Sequence, residues 1–160
     1  SGRGRDLRAA ARMIDDSGSP LAWSPDVPGL IDRIDHIVLT VSDIETATRF
    51  YERALGFERE FFRGPEGQPR YAVRLGSFKI NLQDADTETP TKARVPTPGS
   101  GDFCLIAAVP LERLIEHLEA EGIPIETGPV LRRGALGQMR SIYLRDPDGN
   151  LVEVAEYPAA

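Results

Sequence analysis

At 160 residues, 41% hydrophobic and 28% charged, the chain has the make-up of one ordinary globular domain, or of two small modules sharing a core. A formal net charge of −6 without a basic stripe argues against a nucleic-acid binder, and no apolar run approaches the roughly 20 residues of a membrane span. The single cysteine excludes an intramolecular disulfide framework and makes a reducing cytosol the simplest compartment.

Residues 1–30 differ from the rest. Leu7 to Ile14 reads as a short helix with Leu7, Ala10, Ala11 and Ile14 on one face, ended by Ser17-Gly18-Ser19-Pro20. Arg3, Arg5, Arg8 and Arg12 are offset by Asp6, Asp15, Asp16 and Asp26, and no apolar stretch of signal-peptide kind is present. The segment reads as an arm packed on the body or on a neighbouring subunit, or as a partly disordered extension.

The β-branched run Ile34 to Val41 predicts a strand. Ser42 with Glu45 three residues on has the pattern of a capping box, opening a helix from Asp43 to about Leu55 that Gly56 stops. Ile44, Ala47, Phe50, Tyr51 and Ala54 give that helix its buried face. Phe57 to Phe62, Arg70 to Leu75 and Phe78 to Gln83 read as three further strands. The stretch from Asp84 to Gly101, with its prolines and glycines, reads as a linker.

The order then repeats. Phe103 to Val109 is a strand, and Leu111 to Glu121 a helix stopped by Gly122. Ile123 to Glu126, Ser141 to Arg145 and Leu151 to Glu156 are strands, with Asp148-Gly149 turning the last pair. His36 to Gln83 spans 47 residues (83 − 36) and Cys104 to Glu153 spans 49 (153 − 104), which points to an internal duplication. The expected architecture is α+β: module one over about 31–84, a linker over about 85–101 and module two over about 102–157.

His36 and Glu153 each fall in an apolar strand. An imidazole there needs a partner, and a bare carboxylate is costly to bury unless neutralised or paired. Two such residues in one small protein suggest a common divalent cation.

Three segments carry a family resemblance: Asp35-His36-Ile37-Val38-Leu39-Thr40-Val41 with Phe50-Tyr51-Glu52-Arg53-Ala54-Leu55-Gly56-Phe57; Lys79-Ile80-Asn81-Leu82; and the closing run Ser141 to Glu153 with its Asp146-Pro147-Asp148-Gly149-Asn150 turn. Over about Ile31 to Tyr157 the chain resembles the vicinal oxygen chelate superfamily of glyoxalases, bleomycin-resistance proteins and extradiol dioxygenases. Within it, the chain looks most like small virulence-associated proteins of lactoylglutathione lyase type. The resemblance implies tandem βαβββ modules forming a U-shaped mixed sheet around a cavity, with metal ligands from the first and fourth strands of each module.

On this chain the implied ligands are His36, then Gln83 or Asn81, then Cys104 or Asp102, then Glu153. The family pattern would set histidines where Gln83 and Cys104 stand. Zinc, nickel, manganese and iron(II) all suit the remaining set. Glu153 is also the expected catalytic base. Substrate contacts are expected from Arg132 and Arg133, on a glycine-bounded loop at residues 128–137, and from Arg140, Tyr143 and Phe103. Arg74 ranks lower, and Phe61, Phe62 and Tyr71 are further cavity-lining candidates. His117 is expected to be solvated.

The implied activity is a metal-dependent lyase or isomerase acting through an enediolate-type intermediate on a small-molecule substrate. The alternatives are a non-catalytic antibiotic-binding protein and an iron(II) dioxygenase. A homodimer is expected, with no nucleic-acid or membrane partner.

Overall fold

Both halves of the chain spell strand, helix, strand, strand, strand. In the computed structural model, which describes residues 30–87, 89 and 91–158, the first half comprises β1 His36–Val41, α1 Ile44–Leu55, β2 Glu58–Arg63, β3 Pro69–Leu75 and β4 Phe78–Asp84. The second comprises β5 Asp102–Ile106, α2 Leu111–Ala120, β6 Thr127–Gly134, β7 Gly137–Arg145 and β8 Leu151–Glu156. The chain divides into residues 1–33 and residues 34–160, and every element belongs to the second unit. The helix expected over Leu7 to Ile14 lies outside the described residues.

Each half makes one four-stranded sheet of the same topology, β1-β4-β3-β2 and β5-β8-β7-β6. The outer pairs β1–β4 and β5–β8 are parallel and the rest antiparallel, so the duplication holds at the level of register. The expected tandem modules are present as two four-stranded mixed sheets, and no strand pairing among the described residues joins them.

Strand alternation sorts the side chains onto two faces. In β1 and β4, Ile37, Leu39 and Val41 pair with Ile80, Leu82 and Asp84, and the apolar members pack under α1. In β5 and β8, Phe103 and Leu105 pair with Val152 and Val154. The helix-facing residues of both sheets enter one core, with Tyr51 from α1 and Leu111 and Leu118 from α2. Among the described residues, no helix packs on the opposite faces.

One polar knot crosses between the halves. The buried Asp146 carboxylate, in the β7–β8 turn, accepts the Tyr51 hydroxyl from α1 at 2.9 Å, the Asn150 amide at 2.7 Å, and the backbone N–H groups of Asp148 and Asn150. The Ser42 N–H donates to the Asp148 carboxylate at 3.1 Å, and the Gly101 N–H to Asn150 Oδ1 at 2.7 Å. The Asp-Pro-Asp-Gly-Asn run therefore fastens the modules together as well as turning a hairpin.

Three local readings are corrected. The N-cap of α1 is Asp43, whose carboxylate accepts from the Thr46 N–H at 2.7 Å; Ser42 lies one residue outside, and Glu45 bonds Arg49 and Arg59 instead of closing a box. Residues 123–126 are not a strand. Residues 128–137, read as a loop, are most of the β6–β7 hairpin, so Arg132 and Arg133 sit on a strand. The physical reason lies at Gly128, whose φ is +113° and where an added Cβ would come 2.5 Å from the Ser141 carbonyl. The close approach that only glycine permits lets β6 pair with β7 past a register shift.

Candidate functional site on the helix-free faces

Cross-strand register places the expected ligands in rows on the helix-free faces. On the first sheet the rows are His36–Lys79–Arg74–Glu58, Val38–Asn81–Ala72–Glu60 and, further on, Thr40–Gln83. His36 opens β1 with its side chain 43% exposed, and its Nδ1 lies 2.8 Å from Asp35 Oδ1. Beside the carboxylate Nδ1 is the donor, so in the neutral ring Nε2 carries the lone pair, the tautomer a metal ligand needs.

Asn81 Oδ1 is buried and has no hydrogen-bond partner. Gln83, on the same face, is buried. Beyond them the Glu60 carboxylate bridges Arg74 and Lys79, with Lys79 Nζ 3.1 Å away and 4.1 Å from the centre of the Phe62 ring. Arg74 first, then Lys79, hold Glu60 below the usual carboxylate range. These cations are already matched, which accounts for Arg74.

The second sheet carries the row Cys104–Glu153–Tyr143. Glu153 is half-buried, and its Oε1 is buried without a partner. Cys104 is exposed as a residue, but partial desolvation of its thiol, then the charge of Glu153 and a hydrogen bond to it, pushes the thiol up to about 11, so it stands beside the carboxylate as a neutral group. Arg132 lies over this row: its Nε donates to the Tyr143 hydroxyl at 3.0 Å, and its guanidinium sits 5.5 Å from the ring centre. Ser141, two residues along β7, has a fully buried hydroxyl with no partner.

Glu153, Cys104, Tyr143 and Arg132 are therefore gathered on one face. His36, Asn81 and Gln83 are gathered on the other sheet. Among the described residues no three of His, Cys, Asp and Glu form a group able to hold a metal ion.

Three expected substrate contacts lie elsewhere. Arg140 points to the helix side of β7, where it pairs with Glu112 of α2 and with Glu156. Phe103 packs on the core. Arg133 alternates with Arg132 onto the other face of β6, exposed. Asp102 falls on the helix-free face but is exposed at the start of β5. Phe61 and Tyr71 are on the helix face and form an edge-to-face pair at 5.5 Å. They help line a cavity of about 280 Å³ with Ile44 and Thr48 of α1, which includes neither His36 nor Glu153. His117 is exposed, yet its Nε2 lies 2.7 Å from the Arg53 carbonyl oxygen, tying α2 to α1.

Sequence reasoning passed over Asp35 as the partner of His36, although the Asp-His pair stood at the head of the strand. It also passed over Ser141, whose orphaned hydroxyl becomes visible only once its burial is known.

The donors present fit a divalent cation in kind. They are an imidazole with a fixed tautomer, an amide oxygen and a carboxylate oxygen, the two oxygens buried and unpartnered.

Comparison with known proteins agrees with this architecture. The profile of the Glyoxalase/Bleomycin resistance protein/Dioxygenase superfamily matches residues 33–154. The chain is 50% identical over 128 residues to Virulence protein STM3117 of Salmonella typhimurium, covering 80% of this chain and 86% of that protein. Among solved structures it is similar to a protein from the mobile metagenome of V. Pseudocholerae, with a TM-score of 0.76, 44% identity, and 81% and 97% of the two chains covered. It is also similar to a lactoylglutathione lyase from Agrobacterium tumefaciens, with a TM-score of 0.59, 29% identity, and 79% and 94% covered. The matched span takes in both sheets, both helices and the closing turn, and on that ground the chain belongs to the Glyoxalase/Bleomycin resistance protein/Dioxygenase superfamily.

Proposed function

We propose that this protein is a metal-dependent lyase or isomerase of glyoxalase type. It would take a small substrate with two neighbouring oxygens. The observation that carries the reading is the buried, unpartnered Oε1 of Glu153 on the helix-free face of the last strand. A carboxylate oxygen without a donor is costly to bury, and a cation or a ligand proton satisfies it.

His36, Asn81 or Gln83, and Glu153 would hold the ion, with Cys104 neutral beside them. Bound there, a divalent ion supplies Lewis-acid stabilisation of an oxyanion. Asp35 holds the His36 imbidazole ring in one tautomer. Glu153 is the group able to take up a proton, since Asn81 and Gln83 are amides and Cys104 keeps its own. Arg132 and Tyr143 orient the substrate. The single cysteine supports a reducing, cytosolic setting.

We also propose a homodimer in which a second copy supplies the His36 end of the site. In support, β1 and β5 each lie at a sheet edge, with Val38 and Ile106 about half exposed on the helix-free faces.

The test is an assay with the hemithioacetal of methylglyoxal and glutathione, in the presence of nickel, zinc or manganese. Turnover is expected, reduced at least about a hundredfold by Glu153→Gln. Absence of turnover with all three metals sinks the lyase reading.

A second reading, binding without turnover, is favoured by one observation: of the residues proposed to hold the ion, Asn81 and Gln83 are amides and leave Glu153 as the sole carboxylate. The dioxygenase reading has no such support, because a facial triad needs two histidines and His117 is engaged at α1.

A further inference from the structure

On the face of the second sheet that carries Glu153, the rim cation Arg132 is not matched as its neighbour Arg145 is. On the helix-free face of that sheet, Arg145 is held by Glu126. On the opposite face Arg140 is held by two carboxylates. Arg132 contacts no carboxylate among the described residues. Its Nε donates to the Tyr143 hydroxyl and its Nη1 to the Leu131 carbonyl, each at 3.0 Å, and its plane lies by the Tyr143 ring. Two hydrogen bonds and a ring contact orient the guanidinium, while its remaining N–H groups are uncommitted. A fixed guanidinium with free N–H groups suits the planar, bidentate binding of a carboxylate.

Its position makes the group a selector. Tyr143 is the register partner of Glu153, a strand spacing of roughly 4.8 Å away. The guanidinium lies 5.5 Å from the ring centre on the side of β6. An anion held by Arg132 therefore sits across the Tyr143 ring from oxygens held at Glu153 on β8. We propose that the substrate is a carboxylate-bearing molecule, with its acid group on Arg132 and its neighbouring oxygens at the Glu153 end. This rests on the chelating reading above and narrows it from any small vicinal-oxygen compound to an acid.

Two probes separate the parts. Catechol carries vicinal oxygens alone, and 3,4-dihydroxybenzoate adds a carboxylate across the ring. Each is titrated calorimetrically into zinc-loaded full-length protein without oxygen. The benzoate is expected to bind at least about tenfold more tightly than catechol, the effect of one charge-assisted pair.

Arg132→Met is expected to bring the ratio of benzoate to catechol affinity to about one, Arg132→Lys to keep part of the preference, and Tyr143→Phe, which removes the acceptor orienting Nε, to weaken it. Urea midpoints of the variants check that each is folded. Equal affinities in the parent protein, or a preference that persists in Arg132→Met, overturns the inference while catechol binding preserves the chelating site. If neither probe binds, the chelating reading falls and this inference with it.

Discussion

At the scale of the residue, the informative group is Glu153, because its chemistry is set by what lies beside it. Cys104 faces it across β5–β8, and its thiol is pushed up to about 11, mainly by partial desolvation and then by that carboxylate. The sign follows. From its ordinary value of 9.0 up to about 11, the folded chain keeps a proton that the unfolded chain has lost. The contribution to stability is whole below pH 9 and is lost as pH rises through about 11. Alkylation of Cys104 by iodoacetamide should accordingly be slow at pH 8. In Glu153→Gln, where one of the causes is removed, it should be several-fold faster, since the thiolate is the nucleophile. An unchanged rate would mean the two side chains do not communicate.

At the scale of the element, caps and ties can be told apart by substitution. Asp43→Ala should cost about 1 kcal/mol in urea denaturation and Ser42→Ala under about 0.5 kcal/mol, since only Asp43 caps the first turn of α1. Equal costs would restore Ser42 as the cap. The Asp146 knot links α1 to the β7–β8 turn, so its members are unequal. Tyr51→Phe removes one of several donors and should cost about 1–2 kcal/mol. Asp146→Ala strands the Tyr51 hydroxyl, the Asn150 amide and two backbone N–H groups, and should cost more than about 3 kcal/mol. A Tyr51→Phe loss as large as that of Asp146→Ala would show that the hydroxyl, not the carboxylate, holds the knot.

At the scale of the whole molecule, the two helix-free faces each carry part of the proposed donor set, and the proposed second copy joins them. Sedimentation should give a dimer. His36→Ala and Glu153→Ala, each expected to lose tight divalent-ion binding, should recover it on being unfolded together and refolded as a mixture. A heterodimer then places both lesions in one site and leaves the other intact, restoring about a quarter of the sites. No recovery in a mixture that does form heterodimers would place both ligands of each site in the same chain.

The division between chain and fold runs through these same residues. Hydrophobic period, glycine stops and the repeated strand–helix order were legible because they act over a few neighbouring positions: Gly56 ends α1 at φ +68°, and Ile80 and Leu82 alternate with Asn81 and Gln83 as drawn from the sequence. The loop at residues 128–137 was not legible, because its strand character depends on Gly128 meeting Ser141, a contact 13 positions away (141 − 128). Arg132, Arg133 and Arg140 looked alike as arginines. Only pairing register and α2 sent Arg140 to Glu112, Arg133 to the far face and Arg132 to Tyr143. The sequence by itself determined two copies of one module and the donor types they carry, since both follow from local pattern. The tertiary structure alone decided which donors share a face and which oxygens lie buried without a partner, because neighbourhood and desolvation exist only once the strands are paired and the core is closed.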